Sequence, residues 1–278
     1  MKVSIALTTY NGEKYVYKQI QSILNQSFNF DELIIFDDNS KDNTVSIINS
    51  FSDKRIKLFK NESNLGYIKN FYQAISKTTG DIIFLSDQDD IWEKNKIELM
   101  VSFLERKNAN MVCSNFSLID FNDMPIINKF DYQLNPIIKK EKRAYKKLST
   151  EYLSFGNVAQ GCTYCFTKKV KEIYLKLENY EVVHDYQIAL IGTIVGGAFY
   201  YNKELIKYRI HSENSIGFQK KNNRIVINKK ISKEPFMYRF FRQLNNVYKV
   251  RNLFFYKLIY YLRIPYFISI LRRKTLGE

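Results

Sequence analysis

Short apolar runs alternate with amphipathic stretches over the first hundred residues. Val3–Thr9 reads as a strand stopping at Tyr10-Asn11-Gly12, and Glu13 to about Gln26 as a helix with Val16, Ile20, Ile23 and Leu24 at helical spacing. Glu32–Phe36 is a second strand, and Asp42 opens a helix containing Val45, Ile47, Ile48 and Phe51. Arg55–Phe59 is a third strand. Asn61–Gly66 is a turn, Tyr67–Lys77 a helix broken at Gly80-Asp81, and Ile82–Leu85 a fourth strand. This alternation predicts an α/β protein with a largely parallel sheet covered by helices.

Beyond Asp90 the pattern predicts a helix through Trp92–Lys107 and a strand around Met111–Ser114. The stretch 121–150 holds two of the four prolines and the run Lys139-Lys140-Glu141-Lys142-Arg143, and reads as a mobile surface insertion. Regular structure resumes at Gly156–Thr167, with helices near 168–178 and 185–195 and a last strand at Ala198–Asn202.

A hydrophobic content of 45% over 278 residues supports a real core. The opening Met1-Lys2-Val3-Ser4-Ile5 runs straight into a strand, so no signal peptide is expected. Without an uncharged apolar run of about 18 residues, a spanning helix is not expected and a cytoplasmic location is. Cys113, Cys162 and Cys165 form no disulfide framework, and Cys162-Thr163-Tyr164-Cys165 reads as small semi-buried side chains sooner than half a zinc site. The net charge of +15 changes its meaning once located: residues 220–278 carry fifteen Lys and Arg against Glu234 and Glu278, leaving only +2 on residues 1–219. A basic protein read as a nucleic-acid binder is therefore not the expectation.

Two acidic clusters end apolar runs. Asp37-Asp38 follows Leu33–Phe36, and Asp87-Gln88-Asp89-Asp90 follows Ile82–Ser86. Open α/β sheets place ligands outside such strand ends. A carboxylate only accepts hydrogen bonds, so Asp38 could pair with a pyrimidine N3–H or ribose hydroxyls, or the segment could simply cap the next helix. Asp87 and Asp89, alternate residues of an extended segment, could face one hard divalent ion. Tyr10 could lie flat under a base, with Gly12 making the turn. His211 could complete the metal site, His184 reads as an ordinary satisfied residue, and Asp185 is either a helix cap or a general base.

The ordered set Leu7-Thr8-Thr9-Tyr10-Asn11-Gly12-Glu13, Phe36-Asp37-Asp38-Asn39-Ser40-Lys41-Asp42-Asn43-Thr44, Asn64-Leu65-Gly66 and Leu85-Ser86-Asp87-Gln88-Asp89-Asp90-Ile91-Trp92 resembles the inverting family 2 glycosyltransferases, particularly the bacterial, rhamnosyltransferase-like branch that builds surface polysaccharides. His184-Asp185 and Tyr208-Arg209-Ile210-His211 extend the match to about residue 215. The resemblance implies a GT-A fold, Rossmann-like and three-layered, over residues 1–218, with a nucleotide-sugar half at 1–110 and an acceptor half at 111–218. It implies nucleotide binding by Thr8, Tyr10, Asp38, Asn64, Gly66 and Asp87, Mn²⁺ or Mg²⁺ on Asp87, Asp89 and His211, and Asp185 as the catalytic base. It implies a UDP- or dTDP-sugar donor and a glycan or polyprenyl-linked glycan acceptor of capsule or O-antigen type. Asn39 stands where the family often has Gly.

Residues 219–278 mix Lys and Arg with Phe240, Phe241, Phe254, Phe255, Tyr260 and Tyr261, and read as a basic, aromatic, helical extension on an anionic membrane surface, the inner face of the cell membrane. Two other functions compete. A phosphohydrolase of the haloacid dehalogenase type needs Thr or Val two residues after the second Asp on the first strand, whereas here Ile91 follows the fourth. A non-catalytic nucleotide-sugar-binding protein would keep the same pocket.

Overall fold

A computed structural model describes residues 1–126, 141–153, 157–177, 183–212, 217–221 and 224–228. The first half follows the apolar pattern closely: β1 (Val3–Thr9), α1 (Val16–Leu24), β2 (Glu32–Asp37), α2 (Thr44–Asn49), β3 (Ile56–Lys60), α3 (Tyr67–Lys77) and β4 (Ile82–Ser86). Then come β5 (Ile91–Trp92), α4 (Lys96–Lys107), β6 (Met111–Ile119), β7 (Tyr145–Lys147), α5 (Thr150–Leu153) and β8 (Tyr164–Thr167). The described chain continues with α6 (Lys168–Tyr174), α7 (His184–Val195), β9 (Ala198–Arg209), β10 (Gly217–Lys221) and β11 (Arg224–Asn228).

The sheet runs β3-β2-β1-β4-β8-β6-β9-β5, with β7 beside β9. The four strands β1 to β4 pair parallel, as right-handed βαβ connections require. The second half departs from the expectation of a largely parallel sheet. There β8 runs antiparallel to both β4 and β6, and β5 and β7 run antiparallel to β9, leaving β6–β9 as its parallel pair.

Four more readings change. Ile91 and Trp92 do not begin a helix; they pair with Lys207 and Ile206, and the helix starts at Lys96. Tyr145–Lys147, assigned to the mobile insertion, pairs with Phe199–Tyr201 of β9, and Leu148 behind it is buried. The expected final strand runs on to Arg209 because its second half gains β5 as a partner. In the C-terminal extension, Gly217–Lys221 and Arg224–Asn228 form an antiparallel pair and not a helix, in keeping with the β-branched run Ile225-Val226-Ile227. The rest of the extension and residues 127–140 lie outside the described residues.

Alternate strand residues point to opposite faces, so each face buries its own core. Ala6, Ile34, Phe36, Ile83 and Leu85 pack with α3, α6 and α7 on one side. Val3, Ile5, Leu7, Leu33, Ile35 and Phe84 pack with α1, α2 and α4 on the other. The result is a three-layer α/β/α arrangement whose parallel strands deliver both acidic clusters to one sheet edge. Among the described residues, no helix is long and apolar enough to cross a membrane.

Candidate active site

Asp37 and Asp38 close β2 but serve different ends. Asp37 is fully buried and accepts from Thr9 Oγ1 (2.9 Å), Ser40 N (2.8 Å) and Ser40 Oγ (2.5 Å), so it fastens the loop locally. Asp38 Oδ1 accepts from Asn61 Nδ2 and Leu65 N, and Oδ2 from Gly66 N, each at 2.8 Å. These three donors come from the loop before α3, so Asp38 fastens that loop to the end of β2. Asn39 has φ +65°, a left-handed conformation that Asn tolerates nearly as well as Gly, which explains its place in a position where Gly is common. Asn64 turns its Oδ1 to Gly66 N at 3.1 Å. Thr8 is buried at the end of β1, while Tyr10 and Leu65 present exposed side chains.

The β1 loop and the acidic loop are stitched together by Gln88. Its Oε1 accepts from Tyr10 N (2.8 Å), and its Nε2 donates to Tyr10 O (3.0 Å). Gly12 was expected to make the turn, yet the residue with positive φ is Asn11, at 47°. Gly12 is there for space: a Cβ on it would lie 2.2 Å from Gln88 Oε1. Gly12→Ala is therefore expected to lower stability by about 1–3 kcal/mol, read from the urea midpoint. Adding Gln88→Ala should recover part of that loss.

Beyond Gln88 the carboxylates crowd. Asp90 is buried and Asp87 partly so, and burial, followed by the neighbouring charges, raises the ionisation of both, Asp90 to about 7 and Asp87 well above the usual carboxylate range. Asp90 Oδ2 is buried with no N–H or O–H donor among the described residues. Ligand atoms of Asp87, Asp90 and Cys162 lie within 4.8 Å of one another. Cys162 reads from the sequence as a small semi-buried side chain, but its thiol borders this cluster; burial raises its ionisation, and soft sulfur is a poor ligand for Mg²⁺ or Mn²⁺. Asp89 Oδ2 sits 2.8 Å from His211 Nε2, joining two of the three residues expected to share a metal. Lys96 is fully buried beneath; its Nζ donates to Cys162 O at 2.7 Å and lies 3.7 Å from the Trp92 ring centre, and burial pulls its ionisation down to about 7. Mutually repelling carboxylates, an orphaned carboxylate oxygen and one imidazole suit a hard divalent cation such as Mg²⁺ or Mn²⁺.

Asp185 opens α7 and is buried. Its carboxylate accepts from Tyr186 N at 2.6 Å and also from the Asn157 side chain and the Gly161 backbone. Burial outweighs those bonds and raises its ionisation to about 7. Its charge reaches Asp87 and also Tyr67, whose phenol burial pushes up to about 12. His184 is a core residue stacked on Phe71 at 3.9 Å, but it is not satisfied: neither ring nitrogen has a hydrogen-bond partner among the described residues, and burial lowers its ionisation to about 3.

Sequence reasoning gives no site role to Asn61, Gln88 or Lys96; it counts Asp90 only among the crowded acids and sets Cys162 aside with its CxxC spacing.

The family model described as glycosyl transferase family 2 matches residues 4–167. An Escherichia coli protein named UDP-Glc:alpha-D-GlcNAc-diphosphoundecaprenol beta-1,3-glucosyltransferase is 35% identical over 146 residues, 52% of this chain and 54% of that protein. An uncharacterized glycosyltransferase of Haemophilus influenzae is 28% identical over 246 residues, covering 85% of this chain and 73% of its own. The structure of Staphylococcus aureus TarS residues 1–349 in complex with UDP-GlcNAc superimposes with a TM-score of 0.60 at 18% identity, over 75% of this chain and 58% of that one. The chain thus spans little more than half of the E. coli relative and of the TarS fragment.

Proposed function

The chain belongs to glycosyl transferase family 2, and from that premise we propose that it moves a sugar from a UDP- or dTDP-sugar to a hydroxyl of a glycan or lipid-linked glycan, with inversion and with Mn²⁺ or Mg²⁺ bound. One observation carries this reading: Asp185, near the start of α7, is a buried acid whose charge reaches Asp87 at the end of β4, beside the crowded carboxylates. In the proposed step Asp185 takes the acceptor hydroxyl proton, the acceptor oxygen bonds to the anomeric carbon, and the bond to the nucleoside diphosphate breaks with its electron pair. A bound divalent cation would supply charge neutralisation for the departing diphosphate. Asp87, Asp89 and His211 would hold it, with Asp90 beside Asp87. Asp38, Asn61 and Gly66 would shape the nucleoside pocket beside Tyr10.

The lipid-linked acceptor is supported by the name of the E. coli relative, which carries a diphosphoundecaprenol-linked sugar. The membrane-binding role of residues 219–278 is supported by their charge and aromatic content. Liposome flotation with and without residues 230–278 tests that part; equal flotation would count against it.

Thermal stabilisation by a panel of nucleotide sugars, with and without Mn²⁺, tests the central reading. UDP- or dTDP-sugars should raise the melting temperature with Mn²⁺ and much less without it. Equal shifts for purine and pyrimidine donors, or none for any, would overturn it.

A further inference from the structure

Arg209 ends β9 two residues before His211 and is 1% exposed. A buried guanidinium is costly unless its donors are met. Its Nε donates to Asp89 O at 2.7 Å, and its Nη1 donates to Asp120 O at 2.9 Å and pairs with Asp123 Oδ1 at 2.5 Å. Its own backbone N–H donates to Asp90 Oδ1 at 3.1 Å. The guanidinium lies 4.8 Å from the Tyr15 ring centre, and the His211 ring centre is 4.9 Å from the same ring. Asp123 also pairs with Lys18 of α1.

We propose that Arg209 is a positioning residue that sets the backbone path through Asp89 and Asp90, and thereby aims the metal-binding carboxylates. The inference rests on the reading of the acidic loop as the Mn²⁺ or Mg²⁺ site. Arg209 grips Asp89 by its carbonyl oxygen, which leaves the Asp89 carboxylate to His211 and the cation. It reaches in two directions at once, to the acidic loop and to the 120–123 turn. Only a planar fork with several fixed donors does both; a lysine ammonium can hold one side.

The test is calorimetric titration of the full chain and of Arg209→Lys with uridine, and with UDP in the presence and absence of Mn²⁺. The gain in UDP affinity conferred by Mn²⁺ should fall about tenfold or more in the variant, as loss of an outer-shell partner does. Uridine affinity should stay at the wild-type level, because the Asp38 pocket does not touch Arg209. An unchanged Mn²⁺ gain in the variant would overturn the positioning role. So would parallel losses for uridine and UDP, which mark general loosening. A wild-type chain with no Mn²⁺ gain would overturn the metal reading itself, and this inference with it. If Arg209→Lys does not fold, Asp123→Asn takes its place: it frees one side of the clamp at a partly exposed residue and should lower the Mn²⁺ gain about threefold, a fraction of the outer-shell effect. No change there would overturn the proposal.

Discussion

Asp185→Asn is expected to lower sugar transfer by about 10²–10⁴-fold, the usual cost of losing a positioned general base, with Mn²⁺-dependent donor binding intact. The amide keeps the shape of the carboxylate and can still accept from Tyr186 N, but it cannot take a proton. Single-turnover transfer and donor titration separate the two effects, and unchanged turnover would overturn the assignment. The pH profile gives a second check. Burial raises the Asp185 ionisation to about 7 from an ordinary 3.8, so the active, ionised form grows as pH climbs through about 7 and turnover should level off above it. The stability sign is the reverse. The folded chain holds a proton there that the unfolded chain has released between about pH 4 and 7. Asp185 therefore favours the folded state least above pH 7, and the variant should gain stability relative to wild type as pH rises through that window.

Asp89→Ala is expected to abolish Mn²⁺-dependent binding of the donor diphosphate, by about 100-fold or more, the upper end of what even an outer-shell partner costs. Two contributions disappear together: one proposed carboxylate ligand, and the partner that holds His211 at 2.8 Å. Metal-free uridine binding should be unchanged, since the Asp38 pocket lies on another loop. Metal-free stability should move the other way. Asp89 raises the ionisation of both Asp87 and Asp90, so its removal relieves repulsion among three clustered acids. A melting temperature at or above that of wild type in chelator, alongside lost Mn²⁺ response, is the expected pair. Equal Mn²⁺-dependent UDP affinity would overturn the role of Asp89.

Much of the first half was legible because its strands are short apolar runs bounded by turns. The observed bounds of β1 and of Tyr67–Lys77 coincide with those read from the sequence, and the two acidic clusters fall at the strand ends as expected. The second half was harder for a physical reason. Antiparallel additions such as Ile91–Trp92 are two residues long and owe their conformation to β9, more than a hundred positions away. Their local sequence continues smoothly into a helical pattern. The supporting residues of the site share that difficulty. Gln88 binds a backbone 78 positions distant, and Arg209 one 120 positions distant; nothing in the local spacing of either announces it. Asn61 sat in a segment read only as a turn, yet it supplies a donor to Asp38. The side chains proposed to carry chemistry stand out by their type and place, whereas those that hold the loops around them do not.

The pair of hydrogen bonds from Gln88 to Tyr10 has a thermodynamic consequence. Gln88 lies between the two carboxylates proposed to hold the cation, and Tyr10 lies beside the proposed nucleoside site, so this pair of bonds joins the two. Occupancy at the two ends is then linked, and linkage is reciprocal: if uridine raises the affinity for Mn²⁺ by some factor, Mn²⁺ must raise that for uridine by the same factor. The nucleoside would thus report on the cation without touching it, and Gln88→Ala should bring that factor toward one while leaving each ligand its own site.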